Sequence, residues 1–142
     1  MNINISIILK ESSNRTLTRG KDRSDQNGEV FTPTTLVIEI LEKLPDDTWQ
    51  PGKTFLDPTC GNGQFLAAVA IVKRELGHTD YLNTLYGVDL MADNVADTKA
   101  RLLAIAGDTE ANRSTLERNI LCRDGLTYDY GFGSSHFDSL FG

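Results

Sequence analysis

Between residues 36 and 44 the apolar positions fall at helical spacing, as Leu36, Val37, Ile40, Leu41 and Leu44, which predicts an amphipathic helix. Thr32 is the expected N-cap. Pro33 sits at the first helical position, where its missing N–H costs nothing. Pro45 ends the run. Past the Pro51-Gly52 turn, Thr54 to Asp57 reads as a short strand. Gln64 to Leu76 returns to helical period, with Phe65, Leu66, Ala68, Val69 and Val72 as its buried face and Gly77 as its stop. A second strand runs from Leu85 to Val88 and ends at Asp89, and a helix follows from Asn94 to Ala106, closed by Gly107. Ile120 to Cys122 is a third strand leading into Asp124-Gly125, and Phe137 to Phe141 a fourth. Upstream, residues 2–9 alternate weakly and are β-rich, which predicts a short strand. Residues 10–28 are polar and read as an arm.

Strands alternating with helices predict an α/β fold with a parallel sheet. A length of 142 residues fits one domain. We expect residues 1–27 to form a strand and flexible arm, and residues 28–142 to form the folded unit. No apolar run approaches the roughly 18 residues that span a bilayer, and Met1 to Leu9 lacks the charged flank and cleavage site of a signal peptide. Cys60 and Cys122 are too few for a disulfide framework. The expectation is a cytoplasmic protein with no membrane contact.

The net charge of −6 argues against DNA binding over the whole surface, since such binding rests on Lys and Arg neutralising phosphates. The charge is uneven. Lys10, Arg15, Arg19, Lys21 and Arg23 face only Glu11 and Asp22, so segment 10–23 is net +3 and the rest −9. The basic segment is either a solvated arm or a nucleic-acid contact.

Ligands of open α/β sheets sit at the carboxyl ends of the strands. Three acids stand there: Asp57, Asp89 and Asp124. Gly61 and Gly63 let the backbone turn tightly after the first strand. The dinucleotide pattern G-x-G-x-x-G fails, because Leu66 holds its third glycine position. A P-loop ending at Lys53-Thr54 fails as well, because Asp47 stands where its first glycine belongs. A carboxylate inside the turn repels pyrophosphate and attracts a cation. S-adenosylmethionine (SAM) carries a cationic amine, a sulfonium and a ribose diol. Asp57 suits the amine, Asp89 the two ribose hydroxyls and Asp124 the adenine amino group.

With these residues in place, the chain resembles the amino-methylating DNA adenine-N6 methyltransferases in which the SAM motifs precede the catalytic motif. The resemblance covers about residues 28–141. Gly28-Glu29-Val30-Phe31-Thr32-Pro33 is similar to the family's Phe-Thr-Pro segment at the methionine end of SAM. Leu56 to Leu66 resembles its Asp-Pro-x-x-Gly-x-Gly-x-Phe-Leu motif, through Asp57, Pro58, Gly61, Gly63 and Phe65, with Cys60 inside the turn. Tyr86 to Leu90 resembles the ribose-binding strand end, with Leu90 or Met91 against the adenine ring. Asn119 to Leu126 resembles the adenine-amino station of Asp124, Gly125 and Leu126. The resemblance implies a Rossmann-like SAM-dependent methyltransferase fold with a truncated parallel sheet and flanking helices. It also implies SAM as cofactor and a place in bacterial or phage DNA modification and restriction-modification.

The family's catalytic motif, Asn/Asp-Pro-Pro-Tyr/Phe, holds the flipped adenine. The prolines here are Pro33, Pro45, Pro51 and Pro58, so no Pro-Pro occurs. Positioning of the reacting groups is a large part of such a rate, and we expect little or no methylation by this chain alone. It is then an incomplete methyltransferase, a subunit completed by a partner methyltransferase or specificity chain, or a non-catalytic SAM-binding regulator or decoy. A SAM-degrading enzyme is the weaker alternative. A truncated sheet with an exposed edge predicts self-association or a partner.

No catalytic residue and no metal site is assigned. Cys60 is expected to pack rather than act as nucleophile, and His78 and His136 to lie at the surface. Tyr128, Tyr130, Phe132 and Phe137 are expected to form a C-terminal core patch, and Trp49 a packing anchor.

Overall fold

The computed structural model describes residues 4–11 and 34–130. The N-cap at Thr32 with Pro33, most of the polar arm and the strand at Phe137 to Phe141 lie outside the described residues.

The first element corrects the strand expected over residues 2–9. Ile5–Glu11 is a helix, α1. Asn4 caps it: its side-chain oxygen accepts from Ile7 N at 3.0 Å, and its carbonyl from Ile8 N at 3.1 Å. Ile5 and Leu9, four apart on one face, are buried, while Ile7 points outward. The second helix, α2, is Thr34–Glu42. Val37 and Leu41 are buried but Leu36 and Ile40 are exposed, so its apolar stripe is narrower than its pattern. A short 3-10 helix at Asp46–Trp49 brings Trp49 into the core, where its ring lies 5.4 Å from that of Phe55.

Strand β1 (Phe55–Asp57) pairs in parallel with β2 (Leu85–Asp89), with Phe55 opposite Leu85. On its other side β2 pairs in parallel with β3 (Ile120–Cys122), with Gly87 opposite Ile120. The described sheet has the order β1-β2-β3. All three strands run the same way, so the loops after Asp57, Asp89 and Cys122 leave from one end.

Helix α3 (Gln64–Glu75) follows β1, and α4 (Ala92–Ala106) follows β2. α3 touches β1, β2, α1, α2 and α4. This explains why Leu66 through Lys73 are all buried rather than one face only; Phe65, expected inside, is half-buried at the edge of the core. Lys73 has no exposed surface. Its ammonium donates to Lys53 O and, at 2.7 Å, to Thr84 Oγ1, and sits 5.1 Å from the Phe55 ring centroid. Burial holds its pKa down at about 8.

Helix α5 (Glu110–Asn119) was not foreshadowed by the apolar pattern. Leu116 is its one large buried apolar residue. Its start is fixed by Thr109, whose hydroxyl accepts from Asn112 N at 3.1 Å. The result is a mixed α/β fold, a small parallel sheet with flanking helices.

Candidate functional site

The three strand-end acids share one local geometry. Asp57 Oδ1 accepts from Thr59 N at 3.1 Å, Asp89 Oδ1 from Met91 N at 2.9 Å, and Asp124 Oδ1 from Leu126 N at 3.0 Å. Each carboxylate therefore closes the turn that carries its own strand into the next element.

Between these ends runs the Gly-rich turn. Gly61 and Gly63 have φ of 54° and 87°, a region that side chains disfavour. Cys60 N donates to Val88 O at 2.9 Å, and Gly61 N to Asp89 Oδ2 at 3.0 Å, so the turn is stitched to the end of β2. The fit is close. A Cβ on Gly87 would meet Leu66 Cδ1 at 2.8 Å and Cys60 Cβ at 3.2 Å.

Asp89 also accepts from Asn94 Nδ2, at 3.1 Å on Oδ1. A carboxylate has about four lone-pair sites. With Gly61, Met91 and Asn94 engaged, this arrangement leaves one on Oδ2.

A cavity of about 290 Å3 opens between these ends, lined by Pro58, Thr59, Asp89 to Met91, Asn94 and Asp124 to Leu126. It sits at the small end of ligand pockets, which span roughly 300–1,000 Å3, so a nucleoside-sized ligand would extend over its rim. The rim is apolar: Leu90, Met91 and Leu126 are all exposed. The far wall is tied down where Tyr130 OH donates to Gly125 O at 2.9 Å. Gly125 packs so tightly on Pro58 that a Cβ would lie 1.8 Å from its carbonyl oxygen.

The electrostatics are one-sided. Burial raises the Asp57 pKa; the Thr59 amide opposes this, and the charge of Asp89 adds to it. Among the described residues no Lys or Arg forms a salt bridge with Asp57, Asp89 or Asp124. Among the described residues the hollow is lined by Asp89 and Asp124 and by no Lys or Arg, a lining that favours a cation over phosphate.

Asp57, Pro58, Cys60, Gly61, Gly63, Asp89, Leu90, Met91, Asp124, Gly125 and Leu126 thus gather at one end of the sheet, whereas Phe65 points toward the core. Phe31, Thr32 and Pro33 lie outside the described residues, as do His136, Phe132 and Phe137. Cys60 is buried and its thiol is pushed up to about 12, first by burial. It keeps its proton and packs. His78 is half-buried, its pKa lowered by burial and by Lys73. Tyr128 and Tyr130 meet edge to face at 4.9 Å. No group of three metal-ligating side chains occurs among the described residues, and none of their helices is long and apolar enough to cross a membrane. A larger hollow of about 670 Å3 lies at the opposite end of the strands, between Asp46–Pro51 and Leu76–Thr79, and touches none of these residues.

Three residues went unremarked in the sequence. Asn94, Thr98 and Arg101 are buried polar side chains of α4. Their spacing of four and three was the available signal, but such a row ordinarily marks a solvated face.

Comparisons with known proteins bear on the family. The Type II methyltransferase M.VspI of Vibrio sp. (strain 343) is 30% identical over 88 residues, which is 62% of this chain and 20% of that protein. The chain therefore matches about a fifth of that relative's length. No solved structure matches the chain. The family model described as N-6 DNA Methylase matches residues 16–130, from ahead of α2 through the last turn of the pocket, and the chain belongs to that family.

Proposed function

We propose that the chain binds SAM at the carboxyl ends of β1, β2 and β3 and is the cofactor-holding part of a DNA adenine-N6 methyltransferase with a Rossmann-like fold. The observation that carries this reading is the set of strand-end carboxylates beside a glycine turn: Asp89 and Asp124 line the cavity and Asp57 stands next to it in the turn, with no Lys or Arg bridged to any of the three among the described residues, and burial and Asp89 oppose the charge of Asp57. SAM brings the positive charge that this hollow lacks. Asp57 takes the amine. Asp89 takes a ribose hydroxyl at Oδ2, and takes both only by releasing one of its three donors. Leu90, Met91 and Leu126 cover the adenine ring, and Asp124 accepts from its amino group. Phe31, Thr32 and Pro33 close the methionine end, as the resemblance implies.

DNA is the substrate this reading implies, with segment 10–23 as a basic contact. The setting is the cytoplasm of a bacterium or phage-infected cell, within DNA modification. The 142 residues contain no Pro-Pro, so on this reading the groups that grip the adenine lie outside them. The alternative raised by the sequence is a SAM-binding regulator without catalysis.

Calorimetric titration with SAM is the first test. Saturable binding is expected, and none at millimolar SAM would end both readings. Tritium-methyl transfer to unmodified DNA is the second. No incorporation is expected from these residues alone, and incorporation would show that they hold a complete catalytic set.

A further inference from the structure

We propose that the buried polar row Asn94, Thr98 and Arg101 on α4 is the template that sets the cofactor turn, and that Thr98 is a positioning residue for SAM binding although it lines no part of the pocket. This rests on the SAM reading of the site.

Residues i, i+4 and i+7 share one face of a helix. Here that face is sealed: Asn94, Thr98 and Arg101 are exposed by 2%, 0% and 2%. Burying an amide, a hydroxyl and a guanidinium is costly unless each is bonded. Each bonds a different part of the site. Asn94 Nδ2 donates to Asp89 Oδ1 at 3.1 Å. The Thr98 hydroxyl donates to Gly61 O at 3.0 Å. Arg101 Nη1 donates to Gln64 Oε1 at 2.9 Å, and Gln64 passes the link to Thr34 Oγ1 at 2.7 Å. One helix face thus fixes the second acid, the middle of the glycine turn and the first residue of α3. An apolar row would fill this space at lower desolvation cost, but it would not specify the path of residues 60–64.

Thr98 is the centre of the row. A Cβ on Gly63 would fall 2.9 Å from its Oγ1, so the turn is moulded against it. The Cys60 thiol lies 3.8 Å from the same oxygen. The hydroxyl has one proton and a second acceptor on its own helix, Asn94 O at 2.9 Å. Valine keeps the shape and removes the proton; serine keeps the proton.

The test compares Thr98→Val and Thr98→Ser in the full chain, by SAM titration and by amide hydrogen exchange without ligand. The serine variant should bind SAM within about threefold of wild type. The valine variant should bind at least about tenfold more weakly, the worth of one well-made hydrogen bond. Its Gly61 amide should exchange about tenfold faster, while Ile71 and Val72 in mid α3 are unchanged. Wild-type affinity together with wild-type Gly61 protection in the valine variant would overturn the proposal. So would equal loosening of Gly61 and α3, which would mark Thr98 as general packing. Should the valine variant not fold, Arg101→Lys makes the same comparison at Gly63 and Gln64. If wild type itself fails to bind SAM, the SAM reading falls, and the exchange comparison still decides whether the row sets the turn.

Discussion

Replacing Asp57 by Asn separates what the site does for its ligand from what it does for the fold. Asparagine is nearly isosteric and keeps an Oδ1 for the Thr59 amide, now 3.1 Å away. It loses only the charge. In the ligand-free protein that charge is opposed by burial and by Asp89, so D57N should be at least as stable as wild type. The sign follows from proton linkage. A carboxyl whose folded pKa is raised holds its proton more tightly in the folded state. Its favourable contribution is therefore complete below the unfolded value and is lost as pH rises through the folded value. Near about pH 3 the two proteins should melt together, and at about pH 7 D57N should melt no lower and by preference higher. Binding should move the other way. A hydrogen bond to a charged partner is worth about 1.5–3 kcal/mol, so SAM affinity should fall roughly 12- to 160-fold. Calorimetric titration and differential scanning calorimetry read both quantities. Retained affinity would mean that the amine does not meet Asp57. A ligand-free D57N melting several degrees below wild type would mean that the carboxylate is structural.

Three further outcomes follow from other parts of the structure. Lys73, held at about 8, binds fewer protons folded than unfolded between there and its ordinary value of 10.5, so its contribution to stability rises with pH across that window; in urea unfolding, wild type should gain about 2 kcal/mol relative to Lys73→Met between about pH 7 and about pH 9.5, and a pH-independent difference would refute this. Gly125→Ala places a Cβ 1.8 Å from Pro58 O, forcing the pocket walls apart, and should weaken SAM binding by at least about tenfold; unchanged affinity by titration would show that this wall is not used. The buried, protonated Cys60 should resist a thiol reagent in the native protein while the half-buried Cys122 reacts; mass spectrometry finding Cys60 labelled first would contradict the burial.

The three strands and the two helices behind the site could be read from the sequence to within a few residues. Their apolar runs are bounded by Gly, Pro and Asp that the turns require. Two helices were not readable in this way. In α1 the alternation of Ile3, Ile5 and Ile7 imitates a strand, and only the Asn4 cap and the pairing of Ile5 with Leu9 favour a helix. Helix α5 offers one buried leucine, too little for a periodicity. At the site, the strand-end acids announce themselves because strand ends are where ligands bind. The Asn94–Thr98–Arg101 row does not, because polarity at helical spacing looks the same whether it faces water or a turn.

Helix α3 has the sequence of a surface helix only at Arg74 and Glu75; from Leu66 to Lys73 it is walled in. Such a segment has little to gain from forming early by itself. Its stability arrives when the sheet, α1, α2 and α4 close around it, contacts far apart along the chain. The glycine turn at its head takes its shape together with that closure. Once the core has closed, it is among the least free to lose it. A ligand meeting that turn finds it already ordered and gives up little of its affinity to ordering the site.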